Sequence, residues 1–233
     1  PVFSRPAPHF KDQLSEDGTT VLQAQVTEVL DVAQHIKSYV LVPLAGENFP
    51  DFAPGAHLTI FLPSGKARSY SLVNPAHEKN RYQIAVKLAA NGRGGSQEVH
   101  ETITVGTTLT ISPPKNNFVL YENVQRYLLI AGGIGITPLL AMAPRLVALD
   151  KHFELHLCVQ TVAALPFQYE LQNCSFAPNV ELHVDHNGRS SMDLSQVLAA
   201  PDEQTLVYLC GPDGFRQWVQ RTAAQQGWSP DQS

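Results

Sequence analysis

The sequence predicts two domains, a six-stranded antiparallel β-barrel followed by an α/β domain with a parallel sheet. The first half of the chain is a run of strand-like segments separated by turn signals. The second half alternates between strand and helix patterns, which is typical of a parallel sheet. The 233 residues suffice for two domains of roughly 110 residues each. We therefore predict domains at residues 1–123 and 124–233.

Six segments of the first half have period-two or continuous apolar patterns, which are typical of strands. Turn sequences such as PSGK and NGRGG separate them. Because little helix lies between them, the six strands favour a closed antiparallel barrel. The predicted strands are residues 20–30, 36–44, 57–63, 68–73, 81–88 and 108–114, with one short helix at about 96–103.

The second half opens with the continuous apolar strand RYLLIAGG. A helix pattern follows it, although Pro144 is expected to kink or shift that helix. Three further strand–helix pairs complete the alternation. The predicted strands are residues 126–133, 153–161, 180–185 and 205–211, and the predicted helices are residues 137–150, 167–173, 192–199 and 214–227.

Composition argues against several classes of protein. A net charge of −5 without a basic block disfavours a nucleic-acid partner. No apolar run approaches the roughly 20 residues of a membrane span, and the first residues lack the apolar core of a signal peptide. Three scattered cysteines are not a disulfide framework. We therefore expect a cytoplasmic protein with neither a nucleic-acid nor a membrane partner.

Two stretches of the predicted barrel could together bind one anionic molecule. The strand edge RSYS presents a cation, an aromatic ring and hydroxyls. The turn NGRGGS offers a second arginine and glycine amides that a ligand can approach, and Ser96 is expected to be a helix N-cap. A helix N-terminus beside an arginine is an anion site. The candidate residues are Arg68, Ser69, Tyr70, Ser71, Arg93, Gly94, Gly95 and Ser96.

Two stretches of the predicted α/β domain could face a nucleotide. The turn IAGGIGITP brings Gly132, Gly133 and Gly135 to a strand-to-helix junction, where backbone amides can meet a pyrophosphate. Pro138 stands at the third glycine of a Rossmann motif, so an ordinary tight turn is an equal alternative. In YLCGPDGF, Cys210 ends a strand at the carboxyl edge, or else is simply a small buried hydrophobe.

Five motifs, in this order along the chain, resemble those of the ferredoxin-reductase superfamily and specifically of its phthalate dioxygenase reductase-like branch. They are RSYS, AVK with NGRGGS, PPKNNF, IAGGIGITP and CGPDGF. The resemblance covers nearly the whole chain. It implies an FMN in the barrel and a nicotinamide nucleotide in the α/β domain.

The resemblance also implies roles for particular residues. The flavin would be lined by Arg68, Ser69, Tyr70, Ser71, Ala85, Val86 and Lys87, and its phosphate held by Arg93, Gly94, Gly95 and Ser96. The nucleotide would meet Gly132, Gly133, Gly135, Thr137, Pro138, Gln160, Cys210 and Gly211. The residues expected nearest the reacting atoms are Ser71, Thr137 and Cys210. Phe215 is expected to pack against neighbouring residues rather than to take part in the reaction.

The sequence departs from this branch at two points. The segment Cys158–Thr161 lacks the arginine and serine that relatives often carry there, so we expect NADH rather than NADPH. Relatives continue into one more strand, an aromatic that covers the flavin, and a ferredoxin-like 2Fe–2S domain. Three cysteines cannot supply the four thiolates of that cluster. We therefore expect a truncated or partial chain, the alternative being a cluster on a separate protein.

The nine histidines are not expected to bind a metal. His183 and His186 point to opposite faces of one predicted strand, and His152 and His156 lie at the start of another.

The expected function is an NADH-dependent flavin oxidoreductase. It would pass electrons from NADH via FMN to a 2Fe–2S centre and then to a terminal Rieske-type oxygenase. Two alternatives stay open: a stand-alone flavin or ferric reductase without a cluster, and a non-catalytic nucleotide-sensing module.

Overall fold

The first half of the chain forms an antiparallel barrel, as the sequence predicts. The computed structural model describes residues 13–14, 20–186, 188 and 190–229. Strands are hydrogen-bonded in the order β5-β4-β7-β2-β3-β6, and the short β1, which the sequence did not predict, pairs with β2. A bridge between Leu72 and Ile84 connects the end of β5 to β6 and closes the barrel. The strands are β1 (Gln13–Leu14), β2 (Thr20–Ala33), β3 (Ile36–Pro43), β4 (His57–Phe61), β5 (Ala67–Ser71), β6 (Tyr82–Lys87) and β7 (Thr108–Ile111).

The single barrel helix, α1 (Gly95–Thr102), is fixed to the strands by its buried face. Val99 is fully buried in the barrel core, and the Tyr39 hydroxyl donates to the Val99 carbonyl at 3.4 Å. His100 Nε2 lies 2.8 Å from the Val86 carbonyl of β6. These contacts set the position of the helix N-terminus relative to β5 and β6.

The second half forms a four-stranded parallel sheet in the order β10-β9-β8-β11. The apolar run of β8 is buried almost throughout, because the strand lies inside the sheet with helices on both faces. The strands are β8 (Arg126–Gly132), β9 (His152–Val159), β10 (Val180–Val184) and β11 (Thr205–Cys210). The helices are α2 (Thr137–Ala148), α3 (Gln168–Asn173), α4 (Leu194–Val197) and α5 (Asp213–Gln226).

Two helices differ from the sequence expectation. Helix α2 continues through Pro144, which lies in its interior. Helix α4 is only a single turn, four residues shorter than predicted, and Asp193 caps it by accepting a hydrogen bond from the Gln196 amide at 3.1 Å. Within the described residues, no helix is both long and apolar enough to cross a membrane.

The two halves share one hydrophobic cluster. Ile36, Val73 and Ala85 of the barrel belong to the same buried set as Leu139 and Tyr208 of the α/β half. The segment between the sheets is held by Tyr208, whose hydroxyl accepts from the Tyr121 amide at 2.7 Å and donates to the Val119 carbonyl at 3.0 Å. The barrel and the parallel sheet are therefore packed directly against each other.

Candidate functional site

The two barrel stretches singled out in the sequence meet in the structure. Arg68 of β5 lies against Gly95, the first residue of α1. A Cβ atom at Gly95 would lie 2.2 Å from Arg68 Nε, so this guanidinium position requires a glycine. Gly94 precedes the helix with φ of 76°, in the left-handed region that favours glycine. No side chain of the described residues caps α1, which leaves its first amides available to an anion.

Ser96 is not the N-cap, and that prediction was wrong. Gly94 takes the cap position because its left-handed backbone lets the helix begin at Gly95, one residue earlier than expected. Ser96 is the second helical residue, and its Oγ accepts a hydrogen bond from the Ala89 amide at 3.1 Å. Ser96 therefore fastens the turn that connects β6 to α1.

The charge around this turn is positive. Within the part of the chain that the structure describes, neither Arg68 nor Arg93 has a carboxylate partner. Lys66 pairs with Glu98 at 3.3 Å, and Glu98 also accepts from the Ser64 amide at 3.0 Å. Hydrogen bonding from Ser64, followed by Lys66, lowers the pKa of Glu98. Two arginines thus remain uncompensated beside the open helix start.

The β5 edge divides into two faces. Arg68 and Tyr70 lie two residues apart and share a face, and Tyr70 packs against the barrel core. Burial raises the pKa of Tyr70, more than Arg68 lowers it, so the phenol is neutral near pH 7. Ser69 faces the other way, with its Oγ 3.0 Å from Thr59 Oγ1. The structure therefore separates Ser69 from Arg68 and Tyr70, while Ser71 lies half-buried at the end of the strand.

The predicted residues of β6 also differ in their surroundings. Ala85 is buried at the junction between the two halves, and Val86 is buried inside the barrel core. Lys87 is exposed and lines a cleft between the halves. Only Lys87 of these three presents a charged group to that cleft.

This cleft has a volume of about 670 Å³ and lies at the carboxyl ends of the parallel strands. That edge is where open α/β sheets bind ligands. Ile36 and Lys87 form the barrel wall. The α/β wall includes Gly132, Gly133, Ile134, Cys158, Val159, Gln160, Ala164, Asp185, Ser190, Pro212, Gly214, Phe215 and Trp218.

The glycines of the α/β half permit close packing of the chain. A Cβ atom at Gly135 would lie 2.4 Å from the Cys210 carbonyl oxygen, and one at Gly211 would lie 3.1 Å from Gly132 Cα. A Cβ atom at Gly132 would lie 2.9 Å from Phe215 Cδ1. These glycines let the chain pack closely where β8 and β11 end, beside the cleft.

Some predicted nucleotide residues do not reach the wall of this cleft. Gly135, Thr137, Pro138, Cys210 and Gly211 are not among the described residues that line it. The Thr137 hydroxyl is buried and donates to the Ile134 carbonyl at 3.0 Å. Burial raises the pKa of Cys210, so its side chain is a neutral thiol near pH 7. Their predicted contacts with a nucleotide stay predictions.

Sequence reasoning missed several residues of the cleft. Asp185 follows β10 directly, and its position at a strand end was a signal that could have identified it. Phe215 packs on Trp218, with ring centroids 5.9 Å apart, and the pair forms an aromatic side of the cleft. Burial raises the pKa of Cys158 to about 11, so this cleft residue is also a thiol.

Comparison with known proteins places this architecture in a family. A family profile described as the oxidoreductase FAD-binding domain matches residues 23–120. The solved structure of phthalate dioxygenase reductase, described as a modular structure for electron transfer from pyridine nucleotides to a 2Fe–2S centre, has a TM-score of 0.87 and 34% identity, covering 93% of this chain and 67% of that one. The chain belongs to the phthalate dioxygenase reductase-like branch of the ferredoxin-reductase superfamily.

Curated relatives agree with this membership. Vanillate O-demethylase oxidoreductase of Pseudomonas putida is 41% identical over 208 residues, which are 89% of this chain and 65% of that protein. The phthalate 4,5-dioxygenase oxygenase reductase subunit of Pseudomonas putida is 40% identical over 199 residues, 84% of this chain and 61% of that protein. The chain thus spans somewhat less than two thirds of these relatives. The barrel is a flavin-binding domain, and the α/β half has the NAD-binding fold of an oxidoreductase.

Proposed function

We propose that this chain is the flavin and nucleotide module of an NADH-dependent oxidoreductase. It would pass electrons from NADH via FMN to a 2Fe–2S centre and then to a terminal Rieske-type oxygenase. The observation that carries the proposal is the cleft walled by both halves, with Lys87 on the flavin-domain side and the strand ends on the other. Such a cleft allows a nucleotide and a flavin to meet across the domain junction.

The barrel residues fit the phosphate end of FMN. Arg68 and Arg93, together with the amides of Gly95 and Ser96, would hold a dianion at the start of α1. An FMN ends in a phosphate monoester, whereas FAD continues into a second phosphate and an adenosine. We favour FMN because the cations and open amides converge on the helix start, where a terminal phosphate would be held.

When bound, a flavin accepts the electron pair of a hydride and releases electrons singly, and this chemistry belongs to the cofactor. The chain would supply position and charge. The half-buried Tyr70 would offer a neutral aromatic face beside Arg68, and Ser71 a hydroxyl at the end of β5. Ala85 would place backbone next to the ring at the junction with the α/β half.

The ends of β9 and β10 favour NADH over NADPH. Gln160 is neutral, and Asp185 presents a carboxylate to the same cleft. Among the residues that the structure describes at these strand ends, none is a cation that could pair with a 2′-phosphate, and Asp185 would repel it. Lys87, a cation of the cleft wall, comes from the barrel side and would contact the part of the nucleotide closer to the flavin.

The proposed acceptor follows from the relatives and from the cysteines. Two relatives are named as the oxidoreductase of a demethylase and the reductase subunit of a dioxygenase. The solved relative is described as a structure for electron transfer to a 2Fe–2S centre. The 233 residues contain three cysteines, fewer than the four thiolates of such a centre, so the acceptor we propose lies outside them. Three free cysteines suit the reducing cytoplasm that we propose as the location.

The test combines cofactor identity with electron acceptance. Mass spectrometry of the released cofactor should find FMN, and recovery of FAD alone would contradict the FMN proposal. With NADH, the FMN-loaded chain should reduce ferricyanide. It should support turnover by a Rieske-type oxygenase when a 2Fe–2S protein is added. Undiminished oxygenase turnover without any iron–sulfur protein would show that the proposed route is wrong.

A further inference from the structure

A cluster of two histidines and a glutamate lies on the outer strands of the parallel sheet, apart from the flavin and nucleotide residues. His156 of β9 is opposite Glu181 of the edge strand β10 in the parallel register, and His183 is the next residue on the same face. His156 Nδ1 is 3.1 Å from His183 Nε2 and 3.6 Å from Glu181 Oε2. His183 Nε2 is 3.9 Å from the same oxygen. Three potential ligand atoms therefore converge on one point.

These three separations, 3.1, 3.6 and 3.9 Å, bracket the donor–donor distances of a zinc coordination sphere. Donor atoms of a tetrahedral zinc site are about 3.3–3.6 Å apart, because zinc bonds to nitrogen and oxygen are about 2.0–2.2 Å long. A point equidistant from the three atoms lies about 2.1 Å from each of them, which is the length of a zinc bond. An ion could occupy this point with only slight movement of the side chains.

The second nitrogen of His156 points to the same conclusion. His156 is 1% exposed, and its buried Nε2 has no hydrogen-bond partner among the residues that the structure describes. The nearest carboxylate oxygen, Glu154 Oε2, is 3.4 Å away, and Arg126 holds the other oxygen of Glu154 at 2.8 Å. Metal-bound histidines characteristically donate their other ring N–H to a carboxylate, which fixes the tautomer. A metal on Nδ1 would place the ring proton on Nε2, facing Glu154.

The local charge also favours a cation. Glu154 and Glu181 bring two negative charges to the cluster, and Arg126 brings one positive charge. With both imidazoles neutral, the group carries a net negative charge. A divalent ion would reverse this charge and would replace the hydrogen bond between the two imidazoles with two metal–nitrogen bonds.

We propose that His156, His183 and Glu181 bind one Zn²⁺ ion, with Glu154 as the carboxylate that positions His156. The fourth ligand would be water, since the Glu181 side chain is 62% exposed and leaves the site open to solvent. The prediction that no metal binds was based on pairs of histidines that lie within the same strand. The proposed site instead depends on a pair across two strands, which only the register of β9 and β10 brings together.

The ion would fasten the edge strand to the rest of the sheet. Within the described part of the chain, strand β10 pairs with β9 alone, and Gln160 and Asp185 follow these two strands into the cleft. A zinc bridge between β9 and β10 would therefore hold the outer wall of the cleft in place. This role is independent of the proposed electron-transfer function.

The test is Zn²⁺ binding to the tag-free, flavin-loaded chain after treatment with a chelator. Isothermal titration should show one Zn²⁺ per chain, with a rise in the melting temperature on addition of the ion. His183→Gln and Glu181→Gln should each weaken binding at least tenfold and abolish the rise. The matched control His186→Gln removes an exposed histidine three residues further along and should leave affinity unchanged.

A fourth variant separates a ligand from the positioning carboxylate. Glu154→Gln should keep one ion per chain but weaken its binding by about 10–100-fold. Because Glu181 is exposed, Glu181→Gln should fold even if His183→Gln does not. Absence of stoichiometric Zn²⁺ binding to the unaltered chain, or equal affinity in Glu181→Gln and the unaltered chain, would overturn the proposal.

Discussion

The two glycine turns of this protein have different neighbours. At Gly95 in the barrel, the nearest atoms to an added Cβ belong to the flexible Arg68 side chain. At Gly135 in the α/β half, the nearest atoms are the Cys210 carbonyl and the Gly211 amide nitrogen, which are backbone. The first turn has uncompensated cations beside it, whereas the second turn is packed against another part of its own fold.

The difference indicates what each glycine does. In the barrel, glycine leaves helix amides and two arginines available for a ligand, so a larger residue should damage binding rather than folding. In the α/β half, glycine allows two strand ends to approach closely, so a larger residue should damage folding first. We therefore propose that similar glycine-rich sequences serve cofactor binding in one domain and close packing of strand ends in the other.

The largest expected effect is on stability, from Gly135→Ala. Its Cβ would lie 2.4 Å from a backbone oxygen that cannot rotate away. We expect the free energy of unfolding to fall by about 3 kcal/mol, measured by denaturant titration. The control is Gly214→Ala, where an added Cβ would have no atom of the described residues within 4 Å. An unchanged unfolding midpoint for Gly135→Ala would mean that the strand ends are more loosely packed than described.

The next effect is on flavin binding, from Gly95→Ala. The added Cβ would displace Arg68, which can move into solvent, so the unfolding midpoint of the flavin-free protein should change little. Loss of one charge-assisted contact to the phosphate should weaken FMN binding by about 1.5–3 kcal/mol. Fluorescence titration with FMN measures this affinity. A lower unfolding midpoint with unchanged FMN affinity would mean that Gly95, like Gly135, is needed for packing rather than for ligand binding.

Arg93→Ala should act on the same ligand with a smaller effect, because Arg93 is exposed. We expect FMN affinity to fall about tenfold. Arg81→Ala is the matched control, since Arg81 is on the same domain but is paired with Glu78 at 2.7 Å. Equal FMN affinities for Arg93→Ala and Arg81→Ala would show that Arg93 does not contact the phosphate.

An effect of the same size concerns nucleotide choice in the α/β half. Gln160→Arg would place a cation in the cleft near Asp185. We expect kcat/KM for NADPH to rise by about tenfold relative to that for NADH, the scale of one exposed charge-assisted contact. Gln172→Arg, on the exposed surface of α3, should leave the ratio unchanged. If Gln160→Arg left the ratio of kcat/KM for NADPH to that for NADH unchanged, the ribose 2′-position of the nucleotide would not bind beside Gln160.

Much of the fold could be predicted because burial patterns are local. Alternating apolar residues identified β4, and the continuous apolar run identified β8, each with bounds within two residues of those observed. The start of α1 was missed by one residue, because a left-handed glycine and not a hydroxyl begins the helix. Helix α4 was overestimated, since an apolar pattern does not show where packing ends a helix.

The site was predictable only in part, because it depends on register. The proximity of Arg68 to the glycine turn followed from two motifs in one barrel. The positions of Asp185 beside Gln160, and of His156 beside His183, arise from the parallel pairing of β9 and β10. Residues about 27 positions apart cannot be matched by spacing alone when the intervening loop and helix have unknown lengths.

Anaerobic titration of the FMN-loaded chain with NADH tests most directly whether the barrel and the cleft act together. The flavin absorbance should bleach fully at about one equivalent of NADH, because hydride transfer moves two electrons to one flavin. NADPH at the same concentration should bleach it more slowly. An oxidised flavin spectrum that persists in excess NADH would contradict the account, since the two halves would then bind their ligands without bringing them together.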